Sequence, residues 1–183
     1  IMQTLVPVVE SFFYKGYAVG SSIQSIEGLN NLNSIVSVDQ KPIGRTSRSN
    51  PATYIGIFND IRNLFASLPE SKSRGYSIGH FSFNVAGGRC EECKGEGKIK
   101  ISMQFLEDVV ITCKTCLGER YDPFILSIKF KNKNISDVLK MSVIEARDLF
   151  AGFNNITKKL DLMCQVGLDY IALGQSSSTI SGG

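Results

Sequence analysis

Two rhythms of apolar and polar positions run along this chain, one of period two and one near 3.6, and they divide it into predicted elements. Residues 1–13 are rich in apolar and aromatic side chains and read as the end of a helix. Residues 34–38, Ser-Ile-Val-Ser-Val, are rich in β-branched side chains and predict a strand that runs into a polar turn at 39–42. Asn50 followed by Pro51 predicts a helix start, because the Asn side chain satisfies exposed amides and proline suits the first helical position. Tyr54, Ile57, Phe58, Ile61, Leu64, Phe65 and Leu68 then recur at helical spacing, which predicts one buried face ending before Pro69. Residues 71–79 are polar and glycine-bearing and read as a loop.

Beyond that loop the period shortens. Ile99, Ile101, Met103 and Phe105 alternate with Lys98, Lys100, Ser102 and Gln104, the pattern of a half-buried strand, and residues 109–112 supply a hairpin partner after the turn-like Glu107-Asp108. Phe124, Leu126, Ile128 and Phe130 alternate again before Lys131-Asn132-Lys133-Asn134 turns the chain. Ser142 and Glu145 have the spacing of a capping box opening a helix through Phe150, and a further helix is expected over 157–166. The whole predicts an α/β, mixed α+β fold, with a small β-hairpin module inserted around residues 85–122 of a helical body. The abrupt start and the glycine- and hydroxyl-rich end, residues 174–183, predict a piece of a longer protein.

At 183 residues and 43% apolar, the chain can bury a sizeable core. Its net charge of +3 is too small to select a partner. No run approaches the roughly 18 apolar residues of a membrane span, and no signal peptide opens the chain, so the expected location is the cytoplasm.

The cysteines change the picture. There are five, and in a reducing compartment they argue for metal or free thiols rather than disulfides. Cys90-Glu91-Glu92-Cys93 and Cys113-Lys114-Thr115-Cys116 are separated by residues 94–112, 19 in all, which is the spacing of a tetrahedral zinc site. Two residues between cysteines let one tight turn present both sulfurs to one ion, and Gly95, Gly97 and Gly118 let the chain bend around it. Four thiolates leave no open coordination position, so the expected zinc is structural rather than catalytic. A thioredoxin-like redox pair or a disulfide framework competes, but a redox pair needs only one such motif. Cys164, among Leu160, Leu162, Met163 and Val166, reads as a small buried hydrophobe.

Basic residues gather on and before this module: Lys72, Arg74, Arg89, Lys94, Lys98 and Lys100, with His80 nearby and Phe81 and Phe83 interleaved. Such a mixture suits phosphate contacts and an apolar surface against a duplex, although Glu91, Glu92 and Glu96 dilute it towards an ordinary solvated face. Lys72, Arg74, Arg89, Lys98 and Lys100 are the candidate DNA contacts. His80 reads as a polar surface group, not a fifth ligand.

Four stretches carry a family resemblance: residues 39–46 (Asp-Gln-Lys-Pro-Ile-Gly-Arg-Thr), residues 48–54 (Arg-Ser-Asn-Pro-Ala-Thr-Tyr), Phe81-Ser82-Phe83-Asn84-Val85 with Gly87-Gly88-Arg89-Cys90, and Gly174-Gln175 through Thr179-Ile180-Ser181-Gly182-Gly183. In these the chain resembles the UvrA family, the damage-recognition ATPases of the excinuclease that carries out bacterial nucleotide excision repair. The resemblance implies an interior fragment of the second of two ATP-binding-cassette halves. Residues 1–48 would be partial cassette core with the Q-loop, 49–84 and 123–183 a helical signature subdomain, and 85–122 the inserted zinc module. It implies that Gln40 senses the metal-bound nucleotide and that Ser181, Gly182 and Gly183 begin the signature loop, which contacts ATP held by the opposing cassette. It further implies ATP and magnesium as cofactors of the longer protein, damaged double-stranded DNA and UvrB as partners, and a homodimer. Ile180 stands where the family usually has leucine, a substitution that keeps the packing. No phosphate-binding G-x-x-x-x-G-K-[ST] loop occurs in these residues, so they are not expected to hydrolyse ATP alone. Cys90-x-x-Cys93-x-Gly95-x-Gly97 is also similar to the repeated motif of the Hsp40 (DnaJ) zinc domain, a chaperone module that binds unfolded polypeptide; the second motif here has Arg120 in place of its last glycine.

Overall fold

A computed structural model describes residues 5–14, 26–36, 48–103 and 108–180 of the chain. Contacts divide it into two compact units, residues 1–41 and 42–183. In the first, α1 (Leu5–Tyr14) buries Val9, and the Tyr14 hydroxyl donates to the Ile35 carbonyl at 3.2 Å. Residues 34–36 of the expected strand carry no regular structure, and Val36 is 81% exposed. Among the described residues no strand lies beside this run to pair with its backbone. Residues 37 and 38, with the turn at 39–42, lie outside the described residues.

The second unit opens where Asn50 caps α2 (Pro51–Tyr54): its side chain accepts from the Thr53 amide at 2.9 Å, and the Thr53 hydroxyl accepts from the Asn50 amide at 3.1 Å. The long helix expected here is two. Gly56, at φ +74°, ends the first turn, and α3 (Phe58–Ser67) restarts with Phe58, Ile61 and Phe65 inward while Tyr54 stays exposed. The polar stretch after it is partly helical. Pro69 opens α4 (Pro69–Ser73), and the buried Ser71 hydroxyl donates to the Phe65 carbonyl at 2.6 Å.

A hairpin forms where the alternation predicts, but its first strand ends at Ile101 and is more exposed than expected; residues 104–107, with Phe105 and Glu107, lie outside the described residues. Strand β1 (Lys98–Ile101) pairs antiparallel with β2 (Val109–Thr112), Ile99 opposite Ile111 and Ile101 opposite Val109. The second alternating stretch, by contrast, opens as a short helix and continues as a turn. Asp122 caps α5 (Pro123–Leu126) by accepting from the Phe124 amide at 2.9 Å, and the buried positions are Ile125 and Ile128, three apart, with Phe124 in solvent. Lys131 and Asn132, both at positive φ, make the turn between the bridged Phe130 and Lys133. Helices α6 (Ile135–Lys140), α7 (Val143–Leu149) and α8 (Asn154–Gln165) complete the body, and the Ser142–Glu145 capping box opens α7.

One apolar core joins α3, the aromatic pair Phe81 and Phe83, Tyr121, and the inward faces of α5 to α8. Cys164 is half-buried against it. The four paired cysteines form a separate cluster, and among the described residues Ile99 is the one hydrophobic side chain packed beside them. Among the described residues no helix is long and apolar enough to cross a membrane.

Candidate metal centre

The module leaves the body through a two-stranded stem. Arg89 bridges Tyr121, the Asp122 amide donates to Gly88 at 3.0 Å, and the Cys90 amide donates to Arg120 at 2.9 Å. Gly88 is required there, because a Cβ would lie 1.8 Å from the His80 carbonyl oxygen. The fully buried Tyr121 anchors the stem to the core by donating its hydroxyl to the Phe81 carbonyl at 3.1 Å.

Above the stem the two cysteine turns are copies of one another. In the first, Lys94, Gly95 and Gly97 have φ of +50°, +83° and +73°; in the second, Leu117, Gly118 and Arg120 have +51°, +87° and +71°. The Glu96 amide donates to Cys93 at 3.0 Å and the Glu119 amide to Cys116 at 2.8 Å. Each turn also closes on the other: Cys90 donates to Arg120, and Cys113 donates to Gly97 at 3.0 Å. Arg120 thus takes a left-handed conformation where the first turn uses glycine, and its guanidinium lies over the Phe83 ring at 5.2 Å. Gly95 has no such latitude, since a Cβ there would meet the Phe83 carbonyl oxygen at 1.8 Å.

This arrangement brings Cys90, Cys93, Cys113 and Cys116 together, with all four sulfurs within 4.8 Å of one another and all four residues buried. The sulfurs of Cys90 and Cys113 are 3.9 Å apart, those of Cys93 and Cys116 3.6 Å. Neither distance is a disulfide, whose sulfurs sit about 2.0 Å apart. A tetrahedron of sulfurs about 2.3 Å from one zinc has edges of about 3.8 Å, so the donor set fits the ion.

Backbone amides prepare the sulfurs for charge. The Gly97 amide donates to the Cys93 sulfur at 3.2 Å. Hydrogen bonds from the Cys116 amide hold the Cys113 thiol down at about 7, against burial, with the Thr115 amide assisting. Burial pushes Cys116 up to about 12 against the Arg120 and Gly118 amides, and burial likewise raises Cys90. The Cys113 thiol is therefore ready to ionise near neutrality, while Cys90 and Cys116 need a cation to compensate their desolvation.

The remaining candidates are scattered. Arg74 pairs with Glu70 at 2.5 Å, Arg89 with Glu91 at 3.2 Å, and Lys100 with Asp108 at 2.6 Å, so three of the five basic candidates already have acidic partners. Lys72 and Lys98 have no ion pair among the described residues. Phe81 and Phe83 are fully buried and present no apolar surface to a duplex, which corrects that part of the expected interface. Their alternation with basic residues reflects core packing. His80 stands apart from the sulfurs, its Nδ1 accepting from the Ser77 amide at 3.1 Å. Gln40, Ser181, Gly182 and Gly183 lie outside the described residues.

Two contacts were missed in the sequence. Arg48 donates through Nε to the Glu96 carboxylate at 2.7 Å, and Lys140 pairs with Glu119. Their signal was present: both motifs read Cys-x-x-Cys-x-Gly-Glu, with Glu96 and Glu119 at matching places.

No family model matches the chain. The chain is 51% identical over all 183 residues to the UvrABC system protein A of Malacoplasma penetrans, of which it covers 19%, and 51% identical to that of Aquifex aeolicus, of which it covers 20%. In structure it resembles UvrA2 from Deinococcus radiodurans with a TM-score of 0.86 and 44% identity, all of this chain matching 22% of that one. The chain thus spans about a fifth of the length of the relatives it matches. With its sequence and its fold matched from end to end, the chain belongs to the UvrA family.

Proposed function

We propose that these residues form a zinc-stabilised, DNA-contacting part of a nucleotide excision repair ATPase. The observation that carries this reading is the set of four buried sulfurs within 4.8 Å, at tetrahedral spacing, in a chain of this family. Cys90, Cys93, Cys113 and Cys116 would hold the ion, which has no redox chemistry and supplies a cross-link between the two turns. Residues 85–122 act as the zinc module, residues 49–84 and 123–183 as the signature subdomain, and residues 1–48 as cassette core.

In the longer protein Gln40 reports on bound ATP and magnesium, and Ser181, Gly182 and Gly183 meet the γ-phosphate across a dimer of cassettes. Hydroxyl and glycine amide donors at a loop suit phosphate oxygens. The whole protein would act in the cytoplasm on damaged duplex DNA and pass it to UvrB. Readout of many lesions calls for phosphate contacts and duplex deformability rather than base contacts. Lys72 and Lys98, without acidic partners among the described residues, are the first candidates for phosphate contact; Arg74, Arg89 and Lys100 would have to exchange theirs.

Salt titration of damaged-duplex binding tests the reading. Charge reversal at Lys72 or Lys98 should reduce the logarithmic salt slope by about one each. An unchanged slope removes that residue from the interface, and loss of zinc without loss of duplex binding removes the module.

A further inference from the structure

The two copied turns do more than enclose a metal: each ends in a glutamate that reaches the body, and both lines of contact converge on one loop. On one side Glu96 accepts from Arg48 at 2.7 Å, and a second Arg48 nitrogen donates to the Lys94 carbonyl at 3.3 Å. The next residue, Ser49, accepts through its carbonyl from the Ser177 amide at 2.9 Å. On the other side Glu119 pairs with Lys140 and bonds the side chain of buried Ser136, both on α6. The residue before Lys140, Leu139, accepts through its carbonyl from the Gly174 amide at 2.7 Å. Residues 174–177 are thus gripped at both ends by backbone carbonyls adjacent in sequence to the two cations that the knuckle glutamates hold.

Other bonds of the loop are short-range: the Gln175 amide donates to the Ala172 carbonyl at 3.1 Å, and the Thr179 amide to the Ser176 carbonyl at 2.9 Å. Gly174 packs so closely on α6 that a Cβ would lie 2.8 Å from Leu139. Ser177 is buried with its hydroxyl unpaired, and Asn50, beside the Ser49 carbonyl in sequence, is buried with its side-chain nitrogen unpaired. Unpaired buried polar atoms weaken this seam, so the bonds to the Ser49 and Leu139 carbonyls weigh more in its position.

We propose that Glu96 and Glu119 are positioning residues that fix the loop 174–177 to the state of the four-cysteine centre. With the ion bound, the knuckle backbones hold both carboxylates in place, and Arg48 and Lys140 in turn register Ser49 and Leu139 against the loop. Without it the glutamates lose their fixed geometry, and the loop loses two of its references together. This rests on the metal-centre reading above.

Amide hydrogen exchange on the full chain, with zinc content measured on the same samples, tests it. In zinc-loaded protein Glu96→Gln should speed exchange at Ser177 by about threefold and leave Gly174 unchanged, whereas Glu119→Gln should do the reverse, the size expected for a partly exposed ion pair. Stripping zinc should speed both amides together. Amides of α8 must stay protected in every sample, and the swapped pair Arg48→Glu with Glu96→Arg should restore Ser177 protection. Both amides speeding equally in each variant would mean general loosening and would overturn the proposal, as would unchanged exchange in zinc-bearing variants. Wild-type protein without stoichiometric zinc overturns the metal reading itself, a result the zinc assay separates from the others.

Discussion

The helical body and the cysteine module are built on opposite principles. The body buries large side chains, among them Phe65, Phe81, Phe150, Ile61 and Leu160, from helices that pack directly on one another. Apart from Tyr121, which packs into the body's core, the module's own cluster is four cysteines and part of Ile99, and its hairpin leaves Ile101, Val109 and Val110 exposed. Burying a Phe or Leu contributes about 1.5–3 kcal/mol by removing apolar surface from water, so a core with none of them cannot hold a module of this size. Under the proposed zinc reading, the difference teaches that the module's fold would be conditional on its ion, while the body's would not.

The largest effect expected from this contrast is selective. Removing zinc, or the substitution Cys113→Ser, should cost the module on the order of 10 kcal/mol of metal-coupled folding energy and leave the helices standing. Amide exchange should show Cys90, Gly97 and Cys113 unprotected while far-ultraviolet circular dichroism keeps its helical signal. In the body, Phe65→Ala should lower stability by about 3–5 kcal/mol in denaturant unfolding without changing zinc content. Loss of zinc in that variant would show that the two cores are one. Gly95→Ala should cost the module about 1–3 kcal/mol from its left-handed backbone, and more from the collision with Phe83. Its readout is weaker zinc retention against a chelator. Ser142→Ala removes the hydroxyl of the capping box on α7 and should lower body stability by about 1 kcal/mol, seen as a shift in thermal midpoint.

The smallest effect is a pH dependence. Burial raises the Glu119 carboxyl, but Lys140 and Ser136 outweigh it and hold the group below the ordinary glutamate value. A folded value below the unfolded one means the stabilisation is present above the unfolded value, near about 4.3, and is lost as pH falls through the folded one. The pair is half in solvent, so the loss should stay under about 1 kcal/mol. Glu119→Gln should flatten that part of the stability profile.

What the sequence made legible was local. The Asn50–Pro51 cap, the Ser142–Glu145 box, the β1 and β2 hairpin and the cysteine pairs are set by neighbours a few residues away, and each stands where the pattern put it. The alternation over 124–130 misled because it ignored Asp122-Pro123, a helix start that turns Ile125 and Ile128 inward together. The single helix expected from Pro51 to Leu68 failed at Gly56, whose positive φ is incompatible with continuing the turn. The contacts of Arg48 with Glu96 and of Lys140 with Glu119 span 48 and 21 residues and follow from the packing of the module on the body, which no local pattern encodes. Even so, the repeated Cys-x-x-Cys-x-Gly-Glu marked one end of each.

The most direct test of the conditional module is metal content with spectroscopy on purified protein. One zinc per chain is predicted, released on modifying the thiols, with cobalt substitution giving the intense thiolate and tetrahedral absorption bands of a four-sulfur site. Protein that is folded at Cys90 and Cys113 yet carries no stoichiometric metal, or cobalt bands of an octahedral oxygen site, would contradict it.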